Sequence, residues 1–402
     1  HTFALFPNVI LIKVEAMDTF DVNHGYVLKG SAFLGNIAGN FHISVYENAV
    51  EASFSLDNGM SFAVTSDASR TSPFLALQTD HDGYAPEMMP IQVSDEAITE
   101  AMRKADETAA AVQGEEDLAH LTPRAAAATG TTVSMDILVA YSKEAESKKG
   151  GSAQMMSAIN LAVSESNTIC SNSALSTLKF RLVGVAGPYD VSETSFNSIL
   201  TGIKATSDGY CDNLITRRAE TGADAVVFIT SLTSACGLGY QMTTLSDAFK
   251  TSAFSVTSYN CMTGYYSFAH ELGHNMGITH DVANSGGQAV YNYGYGWRWD
   301  SDAYRSVMAY APGTRVAYWS NPSVTRNGFA TGAALANNAQ ALTNTKGTAA
   351  NWYPARMCAG LSQAFCTDAV NSNCKYENSE CKCIDTSSSA CLTSFKCYAS
   401  SC

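Results

Sequence analysis

No cysteine occurs in the first 169 residues of this 402-residue chain, so disulfides cannot frame that part of it. No apolar run approaches the roughly 20 residues needed to cross a bilayer, which argues against a helical membrane span. A basic footprint is missing as well. Residues 1 to 124 carry 6 Lys+Arg against 18 Asp+Glu, whereas residues 125 to 402 carry 18 against 19, so nearly all of the net charge of −13 is N-terminal. Nucleic acid is not the partner such a balance suggests; a less acidic surface is, and the nearest is the rest of the same chain. No N-x-S/T sequon with x other than proline occurs, which favours a source without N-glycosylation.

What cysteine there is lies late. All twelve stand at or beyond Cys170, and eight crowd into Cys358 to Cys402, a stretch too short and too poor in large aliphatic residues to hold together by burial alone. Disulfides are the ordinary remedy, which predicts secretion into an oxidising, extracellular setting. A zinc knuckle fits less well, because Cys381-Lys-Cys383 lacks the two-residue gap and no histidine is near. Of the other four cysteines, Cys236 and Cys261 bracket one segment and are expected to pair, leaving Cys170 with Cys211; three pairings are open in principle. Phe3 to Val14 is apolar but broken by Pro7, Asn8 and Lys13, so it reads as an early strand and not as a signal peptide, and removal of a leader before His1 is expected.

Three regions follow. Residues 1 to 92 are strand-rich: Phe41 to Tyr46 and Ala52 to Leu56 alternate apolar with small or polar residues, and Asp57-Asn58-Gly59 has hairpin-turn chemistry. Ser94 to Val112 has helical composition, and Leu121 to Gly130 is a run of small residues suited to an exposed, cleavable connector. From Thr131 strand and helix alternate: strands at Val133 to Ala140, Leu178 to Val185, Ala223 to Thr230 and Ala253 to Val256, and helices at Ser152 to Ile169 and within Phe196 to Arg218. The expected boundaries are 1–124, 125–357 and 358–402, a multidomain chain of α+β and α/β character.

The most informative run is His270 to Asp281, HELGHNMGITHD. His270 and His274 are four residues apart and share one helix face, Glu271 stands beside that face, and Gly277 allows the turn that brings in His280. Three neutral imidazoles suit one zinc ion with a position left for water. Metal-assisted hydrolysis follows, with Glu271 as general base and then as donor to the leaving amine.

This H-E-x-x-H-x-x-G-x-x-H pattern resembles the metzincin zinc endopeptidases. A tight turn with a methionine beneath the metal is expected in that superfamily, and Arg305 to Tyr310 fits it, with Met308 lying 28 residues beyond His280. Asp281 resembles the reprolysin (adamalysin) branch, where this aspartate is buried and accepts hydrogen bonds from backbone around the methionine turn. Tyr310 departs toward the astacin and serralysin pattern; it is either a switchable fifth ligand or, the favoured reading, a wall of the specificity pocket.

The resemblance covers roughly residues 131 to 357 and implies a twisted, mostly parallel sheet with helices above a zinc cleft. It places Leu238 and Gly239 on the edge strand to which an extended protein or peptide substrate adds. Val316 to Pro322 resembles the segment closing the S1′ pocket, and Leu335 to Leu342 the start of a final helix.

The implied protein is a secreted zymogen. Its acidic prodomain is bound to its own catalytic domain, a small disulfide-rich domain follows, and the whole is a monomer. The cysteine-free N-terminal region removes the cysteine lock many metzincins use, so Asp80 and Asp82 are the candidate latency ligands. Calcium is allowed but marked by no motif. Two other readings stand beside this one: a binding or adhesion protein acting through its Cys-rich tail with a vestigial metal site, and a permanent regulatory role for residues 1 to 124.

Overall fold

A computed structural model describes residues 2–5, 8–20, 22–66, 74–93, 132–353, 374–377 and 380–383. The helix expected at Ser94 to Val112 and the connector at Leu121 to Gly130 lie outside these residues, as do most of 358–402.

The N-terminal region is a seven-stranded antiparallel meander: β1 (Thr2–Leu5), β2 (Asn8–Phe20), β3 (Gly25–Leu34), β4 (Ile37–Tyr46), β5 (Ala49–Leu56), β6 (Ser61–Ser66) and β7 (Phe74–Thr79), hydrogen-bonded in that order. Asp57 and Asn58 make the β5–β6 turn, and Gly59 takes the left-handed conformation it needs at φ +89°. The period of two sorts the side chains. Phe41, Ile43, Phe54, Phe62 and Val64 share an apolar cluster, whereas the intervening His42, Ser44 and Ser53 point to the other face.

A short strand, β8 (Ile91–Gln92), carries the chain to a second sheet. Its other members are β9 (Val133–Ser142), β10 (Leu178–Tyr189), β11 (Ala225–Thr230), β12 (Gly237–Gln241) and β13 (Phe254–Ser258), in the order β10-β9-β11-β13-β12-β8. Strands β9, β10, β11 and β13 run parallel, β12 is antiparallel to β13, and β8 lies parallel to β12 on its outer edge. Among the described residues the α-helices are α1 (Lys143–Lys149), α2 (Ser152–Asn172), α3 (Phe196–Gly202), α4 (Asn213–Thr221), α5 (Ser267–Asn275) and α6 (Asn338–Ala349). Parallel strands are buried on both faces, which explains the nearly continuous apolar runs of β9 and β11. Ile137 and Val139 join Met155, Ile159, Phe268 and Leu272 on one face; Leu138 and Ala140 join Phe196, Ile199 and Leu238 on the other. At roughly 1.5–3 kcal/mol for each fully buried large apolar side chain, these two layers dominate the stability of the region.

The two faces also settle the early cysteines. Cys236 and Cys261 form a disulfide with Cα atoms 5.4 Å apart. The expected Cys170–Cys211 pair does not form. Both thiols are free and buried, Cys170 in the layer under α2 and Cys211 in the layer of α3 and α4, so the sheet stands between them.

Helix α2 is held from two sides. Its apolar side, Met155, Ala158, Ile159, Ala162 and Val163, packs on the parallel sheet. Its other side meets the N-terminal meander through polar groups: Asn160 and Asn23 exchange two side-chain hydrogen bonds at 2.8 and 3.2 Å, Ser164 donates to Asp18 at 2.6 Å, Ser53 donates to Glu165 at 2.5 Å, and His42 meets Thr168 at 2.8 Å.

Beyond α5 the fold is irregular, with the short strands β14 (Thr279–Asp281), β15 (Tyr295–Gly296), β16 (Arg298–Trp299), β17 (Tyr304–Arg305), β18 (Thr314–Arg315), β19 (Thr325–Arg326) and β20 (Phe329–Ala330). The final helix begins at Asn338, three residues later than expected. A hairpin of β21 (Cys374–Glu377) and β22 (Glu380–Cys383) sets Cys374 opposite Cys383. Among the described residues, no helix is long and apolar enough to cross a membrane.

Candidate metal centre and cleft

Every residue of α5 is buried, so its histidines sit in an environment that holds them neutral; burial pushes all three imidazoles of the cluster well below the usual histidine range. Gly277 ends the run at φ +89°, its N–H donating to the His274 carbonyl at 3.0 Å. A Cβ there would lie 2.3 Å from Val290 Cγ2, so both the turn and the packing call for glycine. The chain then reverses into β14 and delivers His280.

All three rings are oriented the same way. The Nδ1 atoms of His270, His274 and His280 lie 2.9, 3.1 and 3.3 Å from the carbonyls of Val307, Ile278 and Asn284, which fixes Nδ1 as the protonated nitrogen. The three Nε2 lone pairs therefore converge, with pairwise separations of 3.1, 3.1 and 3.0 Å. Three bare acceptors that close repel unless a cation lies between them. Two nitrogens bound to one tetrahedral zinc at ~2.0–2.1 Å lie about 3.3 Å apart, so the spacing fits that ion. His270, His274 and His280 are placed to bind zinc, which when bound supplies a Lewis acid that polarises a carbonyl and acidifies water.

The rest of the centre is built around that helix. Met308 is fully buried beneath it, and a Cβ on Gly273 would approach Met308 Sδ to 2.9 Å. Asp281 accepts from the Tyr310 main-chain N–H at 3.0 Å, from Asn284 Nδ2 at 2.9 Å and from Arg298 at 3.3 Å, tying the third-ligand strand to the methionine turn.

Glu271 lies against β12. Cβ atoms built on Gly237 and Gly239 would stand 2.3 and 2.8 Å from its two carboxylate oxygens, so only glycine at both positions lets the carboxylate occupy this place. Leu238, between them, pairs through its backbone with Val256 and buries its side chain in the opposite layer. Both Glu271 oxygens are buried without a hydrogen-bond partner, and burial, followed by the nearby Glu87 carboxylate, pushes its pKa well above the carboxylate range. A carboxylate so placed is poised to hold a proton, as a general base must after taking it from water.

Tyr310 lines the cleft. Its ring centre is 4.1 Å from that of His280, and its hydroxyl donates to the Glu87 carbonyl at 2.7 Å; burial raises its pKa, so it remains a donor. Asp80 is exposed at the 3-10 turn His81–Gly83 and is not among the groups gathered at the triad, while the side chain of Asp82 lies outside the described residues.

Glu87 enters the cleft, and no motif in the sequence marks it or its partners Arg315 and Ser267. Glu87 Oε1 accepts from Arg315 Nη1 and from Ser267 Oγ, each at 2.6 Å, and the paired side chains are almost wholly shielded from solvent. Around them His81, Tyr84, Tyr265, Arg305 and Tyr310 line a cavity of about 220 Å³. The signal available was weak: one glutamate in an acidic region and one arginine just before Val316, 228 residues apart.

Three histidines converging for zinc, two on a buried helix and one beyond a glycine turn, floored by a methionine turn and set beside β12 of a mostly parallel sheet, define a metzincin-type metallopeptidase. The profile of the family described as metallo-peptidase family M12B, reprolysin-like, matches residues 156–281. The peptidyl-Asp metalloendopeptidase of Stenotrophomonas maltophilia is 37% identical over 233 residues, 56% of this chain and 54% of its own length. Its Xanthomonas campestris namesake is 34% identical over 226 residues, 55% of this chain and 52% of its own. The one from Pseudomonas fragi is 38% identical over 109 residues, 26% of this chain and 71% of its own. The chain belongs to the reprolysin-like metallopeptidases. It spans about half the length of the Stenotrophomonas and Xanthomonas relatives.

Proposed function

We propose that the protein is a secreted zinc endopeptidase made as a zymogen, hydrolysing internal peptide bonds with Glu271 as general base. The observation that carries this reading is the convergence of three Nε2 atoms 3.0–3.1 Å apart next to a buried, unpartnered glutamate. Glu271 takes a proton from the attacking water and passes it to the leaving amine, while Tyr310 is placed to donate to a carbonyl in the cleft. The relatives are named for action at aspartate, and Arg315 in the cleft wall supports an acidic residue next to the bond cut here.

The zymogen reading is supported by the polar contact between the N-terminal meander and α2. Hydroxyls, amides and the carboxylates of Asp18 and Glu165 line it, so separation exposes groups that water can satisfy instead of a large apolar face. Residues 1–124 are accordingly the removable prodomain, 125–357 the catalytic domain, and 358–402 a disulfide-rich domain suited to extracellular conditions. No observation favours a vestigial site, since His270, Glu271, His274 and His280 are intact and assembled.

The test is Glu271→Ala in the processed enzyme, assayed on a peptide with one internal aspartate alongside its zinc content. We expect one zinc per chain and a loss of about 10³-fold or more, the scale of a general-base contribution. Cutting at the normal rate would sink the mechanism. Chelation of wild type should abolish activity, and zinc should restore it.

A further inference from the structure

Arg315 is the most enclosed cation in the cleft, and among the described residues Glu87 is the one carboxylate paired with it. Its Nη1 also donates to the Tyr265 carbonyl at 3.1 Å, and its guanidinium lies 4.2 Å from the Tyr265 ring centre. The neighbouring Arg305 is satisfied by the Gly313 and Ala309 carbonyls and the Tyr265 hydroxyl, so it fixes the pocket wall and leaves anion binding to Arg315. A buried ion pair adds little net stability, because desolvation of both charges offsets their attraction, whereas removing one partner leaves a costly buried charge. Withdrawal of Glu87 would thus leave a cation that needs an anion, together with the Ser267 hydroxyl that shared it, facing a cavity of about 220 Å³ whose wall includes Tyr310, the neighbour of His280.

The backbone around Glu87 occupies the other half of a substrate's place. Pro86 accepts from Cys236 N at 3.0 Å, Met88 N donates to the Gly237 carbonyl at 3.0 Å, and Ile91 and Gln92 continue a parallel ladder on Tyr240 and Gln241. Tyr84 stacks on Tyr265 at 4.3 Å and 16°, closing the pocket from the N-terminal side. The strip 84–92 thereby combines strand addition at the sheet edge with one side chain seated in a pocket, which is how an extended peptide is recognised.

We propose that residues 84–92 are a resident mimic of an acidic substrate, with Glu87 filling the Arg315–Ser267 pocket that reads the substrate's carboxylate. The uncut chain is held inactive by occupation of its specificity pocket and edge strand, and not by an acidic ligand on the metal. Glutamate is one methylene longer than aspartate, so a strip anchored by Glu87 sits differently over the metal from an aspartyl substrate anchored by the same arginine.

This inference rests on the endopeptidase reading, and the experiment separates the two. The uncut full-length chain is assayed on a peptide with one internal aspartate, as wild type and as Glu87→Gln, beside the processed enzyme. Glutamine keeps the shape but loses the charge, and the uncut variant should be at least about tenfold more active than uncut wild type, equivalent to 1.4 kcal/mol. An uncut Glu87→Gln chain as silent as wild type, with the processed enzyme fully active, overturns the inference and leaves the peptidase reading standing; a silent processed enzyme overturns the peptidase reading itself. Should the variant fail to fold, the synthetic peptide of residues 84–92 is tested on processed wild type. It should inhibit competitively, and the same peptide carrying the Glu87→Gln change should be weaker by about tenfold or more, on the same scale. Equal inhibition by both peptides, or none by either, again overturns it.

Discussion

The carboxylate of Glu271 occupies the space that a side chain on Gly237 would need: a Cβ there would stand 2.3 Å from Oε1. Strand β12 and the Glu271 carboxylate are therefore fitted to one another, and a single methyl group is enough to part them. Gly237→Ala should push the carboxylate off its place and lower kcat/KM by about 100-fold, since misplacement by about 1 Å can cost that much, while the zinc content stays at one per chain. Gly239→Ala, with a Cβ 2.8 Å from Oε2, should cost less. Zinc analysis with steady-state kinetics checks both. Unchanged kinetics for Gly237→Ala would mean that Glu271 does not act from this position.

Asp281 supports the metal centre through backbone it does not share. Its carboxylate receives the Tyr310 N–H, Asn284 Nδ2 and the partly shielded Arg298, and it follows the ligand His280 directly. Asp281→Ala removes the acceptor of all three donors at once and leaves the half-buried Tyr310 N–H without that partner. The expected loss is about 2–3 kcal/mol, together with weaker zinc retention. Denaturant unfolding of the zinc-loaded protein measures the first and competition with a chromogenic chelator the second; a wild-type midpoint and wild-type retention would show that the methionine turn stands without it.

How much of this was legible in the sequence depends on the range of the interaction. The triad, the Gly277 turn and the Met308 floor could be read because their geometry is local, carried by short spacings on a helix and its turn. The strands around β9 and β11 were legible for a similar reason, since continuous apolar runs mark burial on both faces. The Cys170–Cys211 pairing went wrong because a spacing does not reveal which face of a sheet a thiol joins. Glu87 carried no mark of its own, because nothing in a run of acidic residues shows which one will meet a buried arginine 228 positions away. Gly237 escaped notice because its reason lies on another element, in the carboxylate of Glu271.

The seating of the N-terminal meander should depend on pH from both sides, through two groups at its contact with α2. Glu165 is buried between Ser53 and the Gly264 N–H, and burial raises its pKa to about 7 from 4.5. A raised carboxyl contributes stability that is fully present below about pH 4.5 and lost as pH rises through about 7. His42, buried against Thr168 with Lys29 and Asp18 nearby, is lowered by burial to about 4 from 6.5. Its contribution is present above about pH 6.5 and lost as pH falls through about 4. Both losses disappear if the meander leaves, because the two groups then return to water. After cleavage between about Leu121 and Thr131, retention of the N-terminal fragment by the rest of the chain should therefore weaken between about pH 5 and 7.5 in wild type. Glu165→Gln should flatten that limb, and His42→Asn should flatten the limb between about pH 6.5 and 4. Size-exclusion chromatography of the nicked chain across this range is the measurement, and parallel profiles for wild type and Glu165→Gln would show that this carboxyl does not govern release.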